Sequence, residues 1–495
     1  MSPLLGLVAF DLVTIACGYA LLVALGVARL RAGDARLLGL CYLAGWALLG
    51  TLLTVGLVLG VGPQVITVVV VAVLVVAACA LVRRRWGAAA PDPSERGRHP
   101  LALAVAAAGG FALIVSSLAA LVVSATSEWN PSSDWDAVWF WIPKAEAIYY
   151  SHGLDAGVWG TINHAEYPPL LPAMDAALFH FAGGVHPSLL PVQQTVLGVA
   201  FLAALLALID RFVPRWLSLP SLAVLAAAPW YWQQMLSVMP DQAIAYLTAA
   251  AAVTGVIWVR EGGLASLVLC FVFLAAATLT KLEGGFFAVL VLVVVLAAGL
   301  AVRRRAALPA LALVLAPALV VLWRVWLSRH GLRSANPDYA VTDLLRPGFL
   351  ADRTGRFTYA FHRMVATAYG FFDNSFGALR SPAGVLSSPF GWLDSLLGGR
   401  ELLALLLPSL LFVAAVARRS SVLAAAAYAW VALAWLGLAS IYWIGRPEVH
   451  WYVEVTIDRV EPTIMIVTVA LSVLLLGLAL GRGSEFTETG SERAR

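Results

Sequence analysis

Charge is scarce in this chain. Asp, Glu, Lys and Arg make up only 12% of its 495 residues, about half the share of an ordinary soluble domain. So few ionised groups cannot clothe a water-facing surface, which excludes a soluble globular protein of this size. Lysine is nearly missing: of 32 basic residues two are lysine, Lys144 and Lys281, and the rest are arginine. Four cysteines (Cys17, Cys41, Cys79 and Cys270) all sit inside apolar runs, without metal-ligand spacing. They read as small buried hydrophobes and exclude a disulfide framework or a cysteine metal cluster. No glycine-rich phosphate loop is present, which argues against cytoplasmic chemistry on a nucleotide sugar. No internal repeat suggests the two matched halves common in secondary transporters. The first apolar run lacks a small-residue cleavage site, so no cleaved signal peptide is expected. The formal net charge of +4 comes from arginines at the ends of apolar runs, so nucleic acid is not an expected partner.

Long hydrophobic stretches are what the chain has in place of charge. Hydrophobic residues form 61% of it and the mean hydropathy is +0.87. A membrane-crossing helix takes about 20 mainly apolar residues, and roughly thirteen such runs occur, at 4–28, 37–60, 64–82, 101–123, 187–209, 217–236, 242–259, 264–280, 285–302, 307–328, 401–417, 421–444 and 461–481. The runs are continuous rather than alternating, which excludes a β-barrel. The expected class is an all-α, polytopic integral membrane protein with about 13 transmembrane helices, its partner the lipid bilayer. Arginine clusters at short turns are expected to be cytoplasmic. They then all fall on one side, with the N-terminus outside and the C-terminal tail (483–495) in the cytoplasm.

That sidedness sends every unusual polar cluster to the outer face. The first outer loop (125–186) carries Asp134, Asp136, Lys144, Glu146, His164, Glu166 and Tyr167 among five tryptophans. A carboxylate just beyond a span end is partly desolvated and suits a general base, which points to Asp136 and, second, Asp134. The bland alternative is that Asp136 only caps the helix that follows. The D-W-D spacing also permits a divalent cation at Asp134 and Asp136, although a lone pair is a weak signal. Pro168 and Pro169 fix an extended path that holds His164, Glu166 and Tyr167 in set directions. Asp241 stands at an outer helix start, where the macrodipole alone would favour it. Lys281 needs an anion or a counter-charge, which Glu283 two residues away can supply. His450 and Arg459 precede the last span, and the planar fork of Arg459 suits a phosphate. A second long outer loop (329–400) has aromatics at helical spacing from Phe357 to Phe372, the pattern of an interfacial helix with its rings in lipid. Phe140, Trp141, Tyr149 and Tyr150 suggest a similar half-buried helix.

The motif W-D-A-x-x-x-W-x-x-K-A (Trp135 to Ala145) followed by Y-P-P-L-x-P (Tyr167 to Pro172) resembles bacterial members of the GT-C glycosyltransferase superfamily. Its relatives include protein O-mannosyltransferases and lipid A aminoarabinose transferases. By that resemblance the acidic base maps onto Asp136, or onto Asp134. The acid before the Pro-Pro pair maps onto Glu166, the later helix-start acid onto Asp241, the turn lysine onto Lys281, and the D-R ending onto Asp458 and Arg459. The resemblance covers roughly 101–482, leaving 1–100 as an N-terminal three-helix extension with a basic loop. It implies a polyprenyl-phosphate-linked sugar donor and a glycan, lipid or protein acceptor, with no certain cofactor beyond a possible divalent cation, in a bacterial plasma membrane. The family's paired acids appear here as D-W-D. Two other classes remain: a transporter or flippase, for which the mid-span charges Asp11 and Arg324 speak, and a non-catalytic scaffold.

Overall fold

The computed structural model describes residues 2–27, 35–85, 100–126, 135–228, 231, 236–332, 340–370 and 421–480. All regular structure among them is helical. Among the described residues ten helices are long and apolar enough to cross a membrane, which gives a polytopic helical architecture. The expected span at 401–417 and the cytoplasmic tail lie outside the described residues.

The helix at 264–280 has the bounds expected of it, one helix ends inside an expected span, and one buried helix was not expected. We number the helices α1 (Pro3–Ala24), α2 (Ala35–Val58), α3 (Val65–Arg85), α4 (Pro100–Thr126), α5 (Ile142–Ser151), α6 (Leu170–Ala182), α7 (Leu190–Ile209), α8 (Arg215–Ala227), α9 (Pro240–Glu261), α10 (Leu264–Thr280), α11 (Leu282–Arg303), α12 (Val320–Arg329), α13 (Thr354–Gly370), α14 (Ser421–Ile444) and α15 (Val449–Leu480). In the run at 217–236, α8 ends at Ala227, because Ala228 turns extended ahead of Pro229, a position where helix is disfavoured. The helix α10 stops at 17 residues, where Lys281 is fully extended. Inside the first outer loop, α6 is a 13-residue apolar helix that is almost wholly buried. It is too short for a span and too apolar for a surface loop, and it packs against α1, α2 and α5.

At the centre stands α9, buried along the whole of its apolar window and in contact with α7, α10, α11 and α15. A helix that is apolar all round belongs inside a bundle. It opens with Pro240 and the acid Asp241 and closes on Arg260 with Gly262 left-handed behind it, as the macrodipole favours. By contrast α3, whose window is only 11% buried, turns its valines outward. The first helices do not stand apart from the rest: α2 packs on α6, α7 and α10, and α1 crosses α2 where Gly18 and Gly45 leave no room for a side chain. Close backbone approach at small residues is how helices associate in lipid.

Ion pairs gather at the end of the bundle where α9 closes. At one end Asp210 pairs with Arg36 (2.8 Å) and Arg215 (3.2 Å), and Glu261 with Arg211 (2.6 Å). Arg303 donates to the carbonyls of Trp258 and Val259. At the other end of α9 lies Asp241, about 30 Å away at 1.5 Å per residue. On that side Gln64, in the turn after α2, donates to the carbonyl of His152 at the end of α5 (3.0 Å). The mid-span charge Asp11 accepts from the Tyr42 hydroxyl at 2.9 Å. On α13, Phe357 lies on Trp443 and Phe361, still 39% exposed, on Trp435 of α14. Arg353 and Arg356, at the start of α13, donate to the carbonyls of Gly445 and Pro447 (2.8 Å each). They thereby brace the chain just past the end of α14.

Candidate functional site

The polar end of α9 gathers side chains from four distant parts of the chain. Asp136 precedes a π-helical turn at Ala137–Trp141 that leads into α5, and its carboxylate makes no capping hydrogen bond there. It is engaged instead by Arg459 of α15, 323 residues away. The same Nη1 of Arg459 donates to the Met239 sulfur at 3.3 Å, a weak acceptor. Beside this pair, Lys281 sits between two acids, Asp241 at 2.9 Å and Glu283 at 3.3 Å. The extended Lys281 links α10 to α11 in a sharp turn that closes because Gly284 has no side chain, its Cα lying against the carbonyl of Ala277. Asp241 and Glu283 serve Lys281, which answers both the macrodipole reading of the one and the counter-charge reading of the other.

The remaining outer-loop residues build a wall on one side. Lys144 is fully buried in a cage of four rings, with its ammonium 5.3 Å from the centre of Phe140, 5.1 Å from Trp141, 5.3 Å from Trp159 and 5.4 Å from Tyr167. Three consecutive carbonyls are held by three donors: His164 by Lys144 (2.6 Å), Ala165 by the Trp159 indole (3.0 Å) and Glu166 by the Trp323 indole (2.9 Å). They pin a turn in which His164 adopts φ +55°, a conformation that costs a non-glycine residue energy and persists only where its surroundings hold it. The His164 ring stacks on Tyr167 (4.8 Å, 7°) and meets Glu166 through Nδ1 (3.3 Å). Tyr167 also stacks on Trp141 (5.7 Å) and lies 5.8 Å from the Lys281 ammonium. Both lysines of the chain therefore border one tyrosine ring.

Lys144 thus has no surface to offer a ligand, and the geometry gives it the task of positioning the turn from His164 to Tyr167. Burial pushes its ammonium down to about 7, against the opposing pull of Glu166. Burial raises the Glu166 carboxyl, but the bond to His164, its own backbone, and the charges of His164 and Lys144 hold it below the ordinary range. The lysine carries a stability signature. Between about 7 and the ordinary 10.5 the unfolded chain binds a proton that the folded chain does not, so stability rises with pH across that window. Lys144→Met should remove this contribution. Unfolding of wild type and variant in detergent from pH 6.5 to 10 should show a flatter slope for the variant, and equal slopes would refute it.

Not every expected residue joins the cluster. Asp134 lies outside the described residues. His450 stands nine residues before Arg459, about 14 Å along the helix, with its ring against Tyr359 (4.1 Å). It belongs to a surface group in which Glu454 accepts from Tyr359 (2.9 Å) and Arg363 (2.6 Å). Two acids escaped the sequence reading. Glu461, two residues beyond Arg459, is buried with both oxygens unpartnered among the described residues, as is Asp175 within α6. The signal for Glu461 was its place in the D-R-V-E-P run; Asp175 is a single acid in an apolar stretch. One oxygen each of Glu166, Asp241 and Glu283, and the Nε of Arg459, are also buried without a partner among the described residues. Such groups are costly to leave unmade, and a cluster of them calls for an explanation. No group of three or more His, Cys, Asp or Glu residues that could hold a metal ion occurs among the described residues.

No family model, no curated protein and no solved structure matches this chain.

Proposed function

We propose that this protein is a membrane glycosyltransferase that moves a sugar from a polyprenyl-phosphate-linked donor to an acceptor hydroxyl at the extracytoplasmic face. The observation that carries the reading is the convergence of Asp136, Asp241, Lys281, Glu283 and Arg459 at one end of the bundle. In this reading Arg459 holds the phosphate, for which a guanidinium fork is suited, and Asp136 takes the proton of the attacking hydroxyl. The open oxygens of Asp241, Glu283 and Glu461 accept from hydroxyl groups of the sugar. Lys281 is shared by Asp241 and Glu283 and fixes their direction. Lys144 and the three-donor turn keep His164, Glu166 and Tyr167 facing the cluster.

A second reading rests on Asp175, an unpartnered buried acid inside α6: transport or flipping of a lipid-linked substrate, in which intramembrane acids mark a path. The test separates the two. Purified protein in lipid nanodiscs, supplied with a radiolabelled polyprenyl-phosphate sugar and a membrane glycolipid extract, should release polyprenyl phosphate and label the extract without any gradient. Counterflow in sealed vesicles with no product would discard the enzyme in favour of the transporter.

A further inference from the structure

Arg459 cannot serve Asp136 and a phosphate in the same way at the same time. Its Nη1 is engaged by Asp136 and Met239, while its Nε is buried with no partner among the described residues. Asp136 in turn has given up the capping position for this bond. Its Oδ2 is taken by the guanidinium, so until the pair opens a hydroxyl can reach the carboxylate only at Oδ1. Lys281 offers no substitute seat, since two carboxylates share it. The phosphate seat and the base therefore meet on one guanidinium, with one of its edges open.

We propose that the Asp136–Arg459 ion pair is a latch that the donor's phosphate opens. A phosphate ester docks on the Nε edge of Arg459, draws the guanidinium away from Asp136, and leaves that carboxylate free as the base. This rests on the glycosyl-transfer reading and adds an order to it: donor first, proton transfer second. Phosphate wins the exchange by carrying more acceptor oxygens, so that two parallel N–H bonds replace one. The chemistry then balances. The acceptor oxygen bonds to the anomeric carbon as its proton passes to Asp136. The bond from that carbon to the phosphate oxygen breaks, and polyprenyl phosphate leaves with the electron pair, its charge held by Arg459. When it departs, Asp136 loses the proton to water and re-forms the pair.

The test is a binding measurement with an unusual sign. Polyprenyl phosphate is titrated onto the full-length protein in nanodiscs. Asp136→Asn, which removes the competitor, should bind it about tenfold more tightly than wild type, within the 5–150-fold typical of coupled sites. Arg459→Lys should bind it at least tenfold more weakly. Inorganic phosphate, the same anion without a lipid, should rank the three proteins identically at much higher concentration, and a different ranking would overturn the latch. So would Asp136→Asn binding no tighter than wild type. If wild type binds neither probe, the glycosyl-transfer reading itself falls. A measurement on the unaltered protein guards against a variant that fails to fold. Modification of Asp136 by a hydrophobic carbodiimide, read by peptide mass spectrometry, should rise when polyprenyl phosphate is added. An unchanged yield overturns the proposal.

Discussion

Lys281→Met should be the most damaging single substitution for stability. The methionine keeps most of the volume but leaves Asp241 and Glu283 facing each other in a buried site, their side chains 2% and 16% exposed. Removing one partner of a buried ion pair typically costs about 3–5 kcal/mol, chiefly because the other charge remains unpaired. Here two charges remain, so the upper end is expected. The triple variant Lys281→Met, Asp241→Asn, Glu283→Gln should recover most of the loss, since it removes the charges together. Titration with SDS in mixed micelles reads both. A lysine variant within about 0.5 kcal/mol of wild type, the range of an ordinary surface change, would show that the trio is not what closes the turn between α10 and α11.

Asp136→Asn should lower glycosyl transfer by about 10² to 10⁴-fold, the usual contribution of a positioned acid or base, while the protein remains folded. Loss of a helix cap costs only about 1 kcal/mol of stability and would not touch turnover. The two readings of Asp136 thus separate on different measurements. The structure favours the ion pair, because the carboxylate makes no cap. Rates of sugar release from the lipid-linked donor, with melting in parallel, decide it: normal turnover discards the base assignment. A loss of rate accompanied by tighter binding of the phosphate would be the joint mark of base and latch.

The spans were legible because lipid imposes a length and a composition, and neither depends on tertiary contacts. Arginines collecting at one set of turns gave an expected sidedness by the same kind of argument. What packing alone decides was not visible. The helix α8 ends two residues before Pro229, and α6 disappeared within a loop because 13 apolar residues satisfy neither a span nor a surface. For the cluster, residue types and loop placement were enough to single out Asp136, Asp241, Lys281, Glu283 and Arg459. Their partners were not foreseeable. Arg459 had Asp458 beside it in sequence, yet its ion pair reaches across 323 positions. Lys144 was expected to face a substrate. Its charge said nothing of the four rings around it, three of which come from its own neighbourhood and from Trp159. The aromatics of α13 carried the helical period, but a period does not say which of them meet the flank of α14.

The near absence of lysine has a practical sequel. Both lysine amines are shut away, Lys144 fully and Lys281 to within 5%, and both border Tyr167. Acylating reagents that seek amines therefore find no lysine on the folded surface. Any lysine they do mark has been uncovered by an opening of this one region, which turns slow acylation into a clock for the breathing of the polar end alone.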